Sequence, residues 1–188
     1  MCFNFEVSIG TFLLSWSISI YLLSKGLNKK QKQNVIFLMI FSCIQLADAI
    51  LWYNKMKKNN INYIVTSFII PFILSLQILY NVFIRNNNKN IFMTLFAITV
   101  IIMIFKKFNG YSESLCSNKI ASPVWGSNEL NVWDIIIFGI LILYPINYQI
   151  DKIIIIITGI IATMMSGAHG SLWCAIANVV SLYYLYKY

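Results

Sequence analysis

The sequence predicts an all-α polytopic membrane bundle of seven transmembrane helices, a single domain over residues 1–188, and three observations predict it. Hydrophobic residues make up 59% of the chain and charged residues 11%, where soluble domains run at roughly half and a quarter. The apolar residues gather into runs close to the ~20 residues that cross a hydrocarbon core. The 14 lysines and arginines fall almost wholly in the short connections between those runs, as interfacial anchors and topology signals do. The net charge of +8 is therefore read as membrane anchoring and not as a nucleic-acid surface. The expected partner is the lipid bilayer, with oligomers open, and the localisation is integral membrane. Heavy use of Ile, Asn, Lys and Tyr carries no mechanistic weight.

The first span, residues 5–23, is too long and uninterrupted for the hydrophobic core of a signal peptide, and no basic residue precedes it. The linker after it holds Lys25, Lys29, Lys30 and Lys32, the densest basic cluster in the chain, which places it on the cytoplasmic side. The second span, 34–53, carries Gln45, Asp48 and Trp52 at spacings of three and four, so an amide, a carboxyl and an indole share one helix face. An ionised Asp near the centre of a span costs roughly 3 kcal/mol, so Asp48 is expected to face the bundle and find a partner or stay protonated. A packing clamp between helices and a direct functional role are both open for it.

A third span, 63–83, is interrupted by Pro71 and contains Gln77. Pro71 removes one helical hydrogen bond and favours a kink, which neighbours in a membrane accommodate. The fourth span, 91–105, is the least polar and reads as lipid-facing scaffold. Residues 106–132 form the one long loop, between helices 4 and 5, with no obvious structure of its own; such a loop is expected to be functional or cross-linked. Spans 133–149, 152–167 and 171–187 complete the bundle, the fifth broken by Pro145 and the last ending in Tyr183, Tyr184, Tyr186 and Tyr188 around Lys187. Lys and Arg number 8 on the side of the first linker against 6 on the other, which favours an outside N terminus and a cytoplasmic C terminus.

Seven spans put the N terminus, the end of span two, the long loop and the turn before span seven on one side. That parity gathers Cys2, Glu6, Asp48, Trp52, Cys116, Trp125, His169, Ser171, Trp173 and Cys174 in one leaflet. Ligand-binding candidates are Glu6, Gln45, Asp48, Trp52, His169, Ser171, Trp173 and Cys174, because polar groups inside membrane bundles mark ligand or ion pathways. Cys2 and Cys116 form a disulfide across the long loop in an oxidising lumen, or remain two free thiols. Cys43 reads as a small apolar residue within its helix.

His169 is the only histidine, and one His with one Cys and distant carboxylates makes no metal site. No cofactor is expected, and retinal is excluded because span seven has a lysine only at its end. A Ser171, His169, Asp48 triad has the residue types but no nucleophile-elbow context. His169 also reads plainly as an interfacial residue capping the helix that begins near Ser171. The leading expectation is a non-enzymatic protein that binds or passes a small ligand, lipid or ion. A lipid-modifying enzyme with His169 as base and Ser171 or Cys174 as nucleophile, and a structural protein of viral or intracellular membranes, are the alternatives.

The opening Met1-Cys2-Phe3 with Ser8, the Gln45, Asp48 and Trp52 face, and Gly170-Ser171-Leu172-Trp173-Cys174 with Ser181 resemble a family of small polytopic membrane proteins of uncharacterised function. The family pattern starts Met-Cys-Phe-Ser or Met-Cys-Trp-Ser and ends in a Ser-Val-Trp-Cys-type helix. Asn4 stands where it has Ser, and Asp48 where it has Glu. The resemblance implies a seven-span fold with no established activity, and residue usage resembles that of giant DNA viruses of the Mimivirus kind, which implies a virion membrane or a host endomembrane.

Overall fold

The computed structural model of the chain describes residues 4–85, 90–116, 121–126, 132–143, 153–154, 156–160 and 178–188. These residues are mostly helical. Helix α1 spans Phe5–Leu23, α2 Lys29–Tyr53, α3 Asn60–Arg85, α4 Ile91–Lys107, α5 Val132–Leu143 and α6 Val179–Lys187. Between α4 and α5 lie two short strands, β1 (Glu113–Cys116) and β2 (Ala121–Val124), paired antiparallel from Glu113 opposite Val124 to Cys116 opposite Ala121. Among the described residues three helices, α1, α2 and α3, are long and apolar enough to cross a membrane. At about 1.5 Å per residue, the 25 and 26 residues of α2 and α3 exceed a hydrocarbon core of about 30 Å and the 19 of α1 come within about 2 Å of it. Within the fifth to seventh expected spans, residues 144–149, 152, 155, 161–167 and 171–177 lie outside the described residues.

Local chemistry explains where each helix begins. Asn4 caps α1, its side chain accepting from the Val7 amide at 3.0 Å. Asn28 caps α2 through a reciprocal pair: Gln31 N donates to Asn28 Oδ1 and Asn28 N donates to Gln31 Oε1, each at 3.0 Å. That capping box moves the start of α2 to Lys29, earlier than the apolar pattern at residue 34 implied. Lys29, Lys30 and Lys32 of the first linker are exposed on its opening turns, where long side chains extend toward water. α2 ends at Asn54, and the turn beyond it holds Lys55 and Met56 at φ 52°. Asn54 and Asn59 lock that turn by exchanging side-chain amide bonds, both 2.9 Å.

α3 is continuous but not uniform. Residues Val65–Ile69 form a π-helical turn immediately before Pro71, and Tyr80–Arg85 form a second. Pro71 has no N–H for the carbonyl four residues back, and the widened turn, in which Ile70 N reaches Val65 O, absorbs that loss. The expected interruption of span three is therefore a π turn inside an unbroken helix.

The long loop is likewise not structureless. It carries the β1–β2 hairpin, and it begins only after Lys107, because α4 runs two residues beyond the apolar pattern.

α1 and α2 are antiparallel neighbours, and α3 packs antiparallel on α2, with α4 and α5 against α3. The main core joins α2, α3, α4, the loop and α5 through Phe37, Ile44, Ile78, Val100, Phe108 and Leu141, among others. A second cluster of Ile18, Leu22, Val35, Leu38, Val180 and Tyr184 seats α6 against α1 and α2. Ser15 and Asn178 bond side chain to side chain across that seam, and small residues such as Ser15 and Ser19 let the helices approach. α4 turns Ile91, Phe92, Leu95, Ile98 and Ile102 outward, a face that hydrocarbon accommodates and water disfavours.

Candidate functional site

The last turns of α2 deliver Gln45 and Asp48 to the interior, both fully buried. Gln45 Oε1 accepts from the Thr11 hydroxyl of α1 at 3.2 Å. Asp48 Oδ1 accepts from the indole N–H of Trp125 at 2.8 Å, a bond spanning 77 residues of sequence. Trp125 directly follows β2, so the hairpin loop closes over this end of the bundle with a buried aromatic side chain as its peg. Phe108 packs edge-on against it, with ring centroids 6.0 Å apart. Gly126 makes the approach feasible: it sits at φ +78°, and a Cβ there would lie 3.1 Å from the Phe108 Cα and 3.3 Å from the Lys107 carbonyl.

A second polar lock holds the loop to α3. Asn62 Nδ2 donates to the Ser112 carbonyl at 2.9 Å and Asn62 Oδ1 accepts from the Ser112 amide at 2.8 Å. The Thr66 and Ser112 hydroxyls lie 2.7 Å apart, and Gly110 N donates to Ser67 Oγ at 3.0 Å. Asn62, Thr66 and Ser112 are fully buried, so the loop backbone finds the partners that burial requires. Outside this lock Lys107 pairs with Asp134 at the start of α5, and Lys58 pairs with Glu113 at 2.6 Å. The Glu113 carboxylate holds Lys58 above the ordinary lysine range.

Trp52, one turn after Asp48, is half-buried, and among the described residues its shielded indole N–H has no hydrogen-bond partner. The sequence-derived constellation is thus brought together in part. Gln45, Asp48 and Trp52 share one end of α2 as the spacing implied. Glu6 does not join them inside: it is exposed in the first turn of α1, where a carboxylate complements the helix dipole. His169, Ser171, Trp173, Cys174 and Cys2 lie outside the described residues. So does the Cys116 side chain, although its backbone belongs to β1, and with it the expected Cys2–Cys116 bridge.

Sequence reasoning passed over the loop lock and a second buried cluster at the other end of the bundle. There Arg85 Nη1 donates to Asn81 Oδ1 at 3.0 Å and Arg85 Nη2 to Asn34 Oδ1 at 2.5 Å. The guanidinium carbon lies 4.8 Å over the Phe37 ring. Asn34 Nδ2 donates to the Tyr188 hydroxyl at 3.1 Å, and Asn81 Nδ2 to the Ile142 carbonyl at 3.2 Å. One guanidinium and two amides thereby tie α2, α3, α5 and the end of α6 together. The signals available in the sequence were the four-residue spacings Asn62–Thr66 and Asn81–Arg85.

No protein-family model matches this chain, and neither a curated protein nor a solved structure does. The geometry above therefore carries the functional argument alone.

Proposed function

We propose that this chain is a multi-pass integral membrane protein that binds or passes a small polar ligand at the loop-covered end of its bundle. One observation carries the reading: among the described residues the buried Trp52 N–H has no hydrogen-bond partner, one turn from a fully buried carboxyl, Asp48. A buried donor without an acceptor costs on the order of 1–3 kcal/mol, and a ligand that presents an acceptor there removes that cost. In this reading Asp48 and Gln45 supply polar contacts and Trp52 donates, and His169 and Ser171, which lie outside the described residues, are the candidates the sequence offers for further contacts. The test is reconstitution into nanodiscs and liposomes, with native mass spectrometry for co-purified small molecules and dye-reported proton or cation flux. Wild-type protein is expected to retain a ligand or pass an ion, and Asp48→Asn and Trp52→Phe to lose it. Binding and flux unchanged in Asp48→Asn and His169→Ala across about pH 5–8 defeat the proposal.

A second reading rests on the Trp125–Asp48 bond itself. A carboxylate spent on anchoring a loop describes a structural clamp, in a protein whose role is architectural. Under that reading Asp48→Asn lowers thermal stability in detergent and changes no binding or flux.

A further inference from the structure

The two ends of the described bundle differ sharply in charge. Lys25 at the end of α1, Lys29, Lys30 and Lys32 on the first turns of α2, Arg85 at the end of α3 and Lys187 at the end of α6 share one end. The Arg85–Asn34–Tyr188 bonds bring these helix ends together. No acidic side chain stands at that end among the described residues. At the opposite end Lys55, Lys57, Lys58, Lys106 and Lys107 meet Glu6, Asp48, Glu113 and Asp134, five cations against four carboxylates, and two of the lysines are ion-paired. Among the described residues one end thus has a formal net charge of +6 and the other +1.

The five lysines of the cationic end are exposed. Aromatic rings stand beside two of them: Lys25 Nζ is 4.7 Å from the Tyr21 ring centroid, and Lys187 Nζ is 5.1 Å from that of Tyr183. Tyrosine at a membrane interface sits at headgroup depth, and a cluster of cations just outside a span attracts anionic lipid at about 1 kcal/mol for each Lys or Arg. We infer that this end binds the phosphate-bearing headgroups of anionic phospholipids, and that it does so independently of the Asp48 site at the opposite end.

The test uses the full chain in detergent micelles, with phosphatidylglycerol as the probe lipid and phosphatidylcholine as the neutral control. Lipid retention by native mass spectrometry and thermal stability by intrinsic fluorescence are both read. Phosphatidylglycerol is expected to be retained more strongly than phosphatidylcholine and to raise the Tm. The variant Lys25→Gln, Lys29→Gln, Lys30→Gln, Lys32→Gln is expected to weaken that retention at least about tenfold. The matched set Lys55→Gln, Lys57→Gln, Lys106→Gln at the other end is expected to leave it nearly intact. Equal loss in both variants, equal retention of the two lipids, or full displacement by soluble glycerol phosphate overturns the inference. Should the four-lysine variant not fold, a salt titration of the wild type decides: retention must fall as salt rises, and salt-independent retention overturns the inference.

Discussion

At the level of single residues, the bond from Trp125 to Asp48 separates what sequence spacing conveys from what only tertiary structure conveys. The three- and four-residue spacings of Gln45, Asp48 and Trp52 place them on one face, because a helix repeats every 3.6 residues, and the structure has Gln45 and Asp48 inside. The partner on Asp48 lies 77 positions away, in a loop with no periodicity, so no local pattern announces it. Trp125→Phe keeps the ring against Phe108 and removes the donor. It is expected to lower stability by about 1–3 kcal/mol, the range for removing one partner of a buried hydrogen bond, measured as a drop in Tm in detergent. An unchanged Tm would show that the indole N–H contributes no net stability. Gln77 carries the opposite expectation. Its side chain is fully buried in α3, and among the described residues neither amide atom has a hydrogen-bond partner. Gln77→Leu removes an unsatisfied amide of similar volume and is expected to raise stability, by roughly 1–3 kcal/mol at most. A fall in Tm would mean that the amide is occupied by a bound molecule.

Among the elements, the membrane-length runs were legible in α1, α2 and α3 because each is a long apolar stretch bounded by lysines, asparagines or arginine. Helix ends were less legible, since caps and side-chain reach decide them: the Asn28–Gln31 box extends α2 backward over lysines that hydropathy assigns to a linker. The hairpin was illegible for a different reason. Its strands are four residues each, and side-chain locks to α3 and α2 hold it there where alternation in its own sequence does not. Two glycines test how closely it is seated. Gly26 has φ +74° with open space around it, whereas Gly126 has φ +78° with backbone only 3.1 Å from where a Cβ would stand. Gly26→Ala is expected to cost only the left-handed backbone strain, about 1–2 kcal/mol. Gly126→Ala adds displacement of the loop from the end of α4, so its Tm should fall further and the Trp125 fluorescence should shift toward that of a wetter indole. Equal penalties at the two sites would mean that the loop yields freely.

For the whole molecule, the antiparallel order of α1, α2 and α3 fixes which residues share a side even without knowing which side faces the cytoplasm. Surface charge pairs contribute little to this arrangement. Lys58 and Glu113 are both mostly exposed, and solvent screens such pairs. Because Glu113 raises the Lys58 pKa, any stabilisation from the pair is fully present below the ordinary lysine pKa and is lost only as pH rises through the raised value. Lys58→Gln should therefore shift the Tm only slightly, and by the same amount throughout about pH 6 to 9, and a pH-dependent loss in that window would have another origin. The membrane reading makes a stronger demand. If α1, α2 and α3 cross a bilayer, Lys30 at the start of α2 lies on one face of the membrane, and Lys57 beyond its end and Lys106 at the end of α4 lie on the other. In a background with Cys2, Cys43, Cys116 and Cys174 replaced by serine or alanine, Lys30→Cys, Lys57→Cys and Lys106→Cys are each exposed enough to react with a membrane-impermeant maleimide. In sealed vesicles of one orientation the reagent should label position 30 alone or positions 57 and 106 together, and inverting the vesicles should exchange the two patterns. Labelling of position 30 with position 57 from the same face would mean that α2 lies along the membrane or outside it, and the three-span arrangement would fall with it.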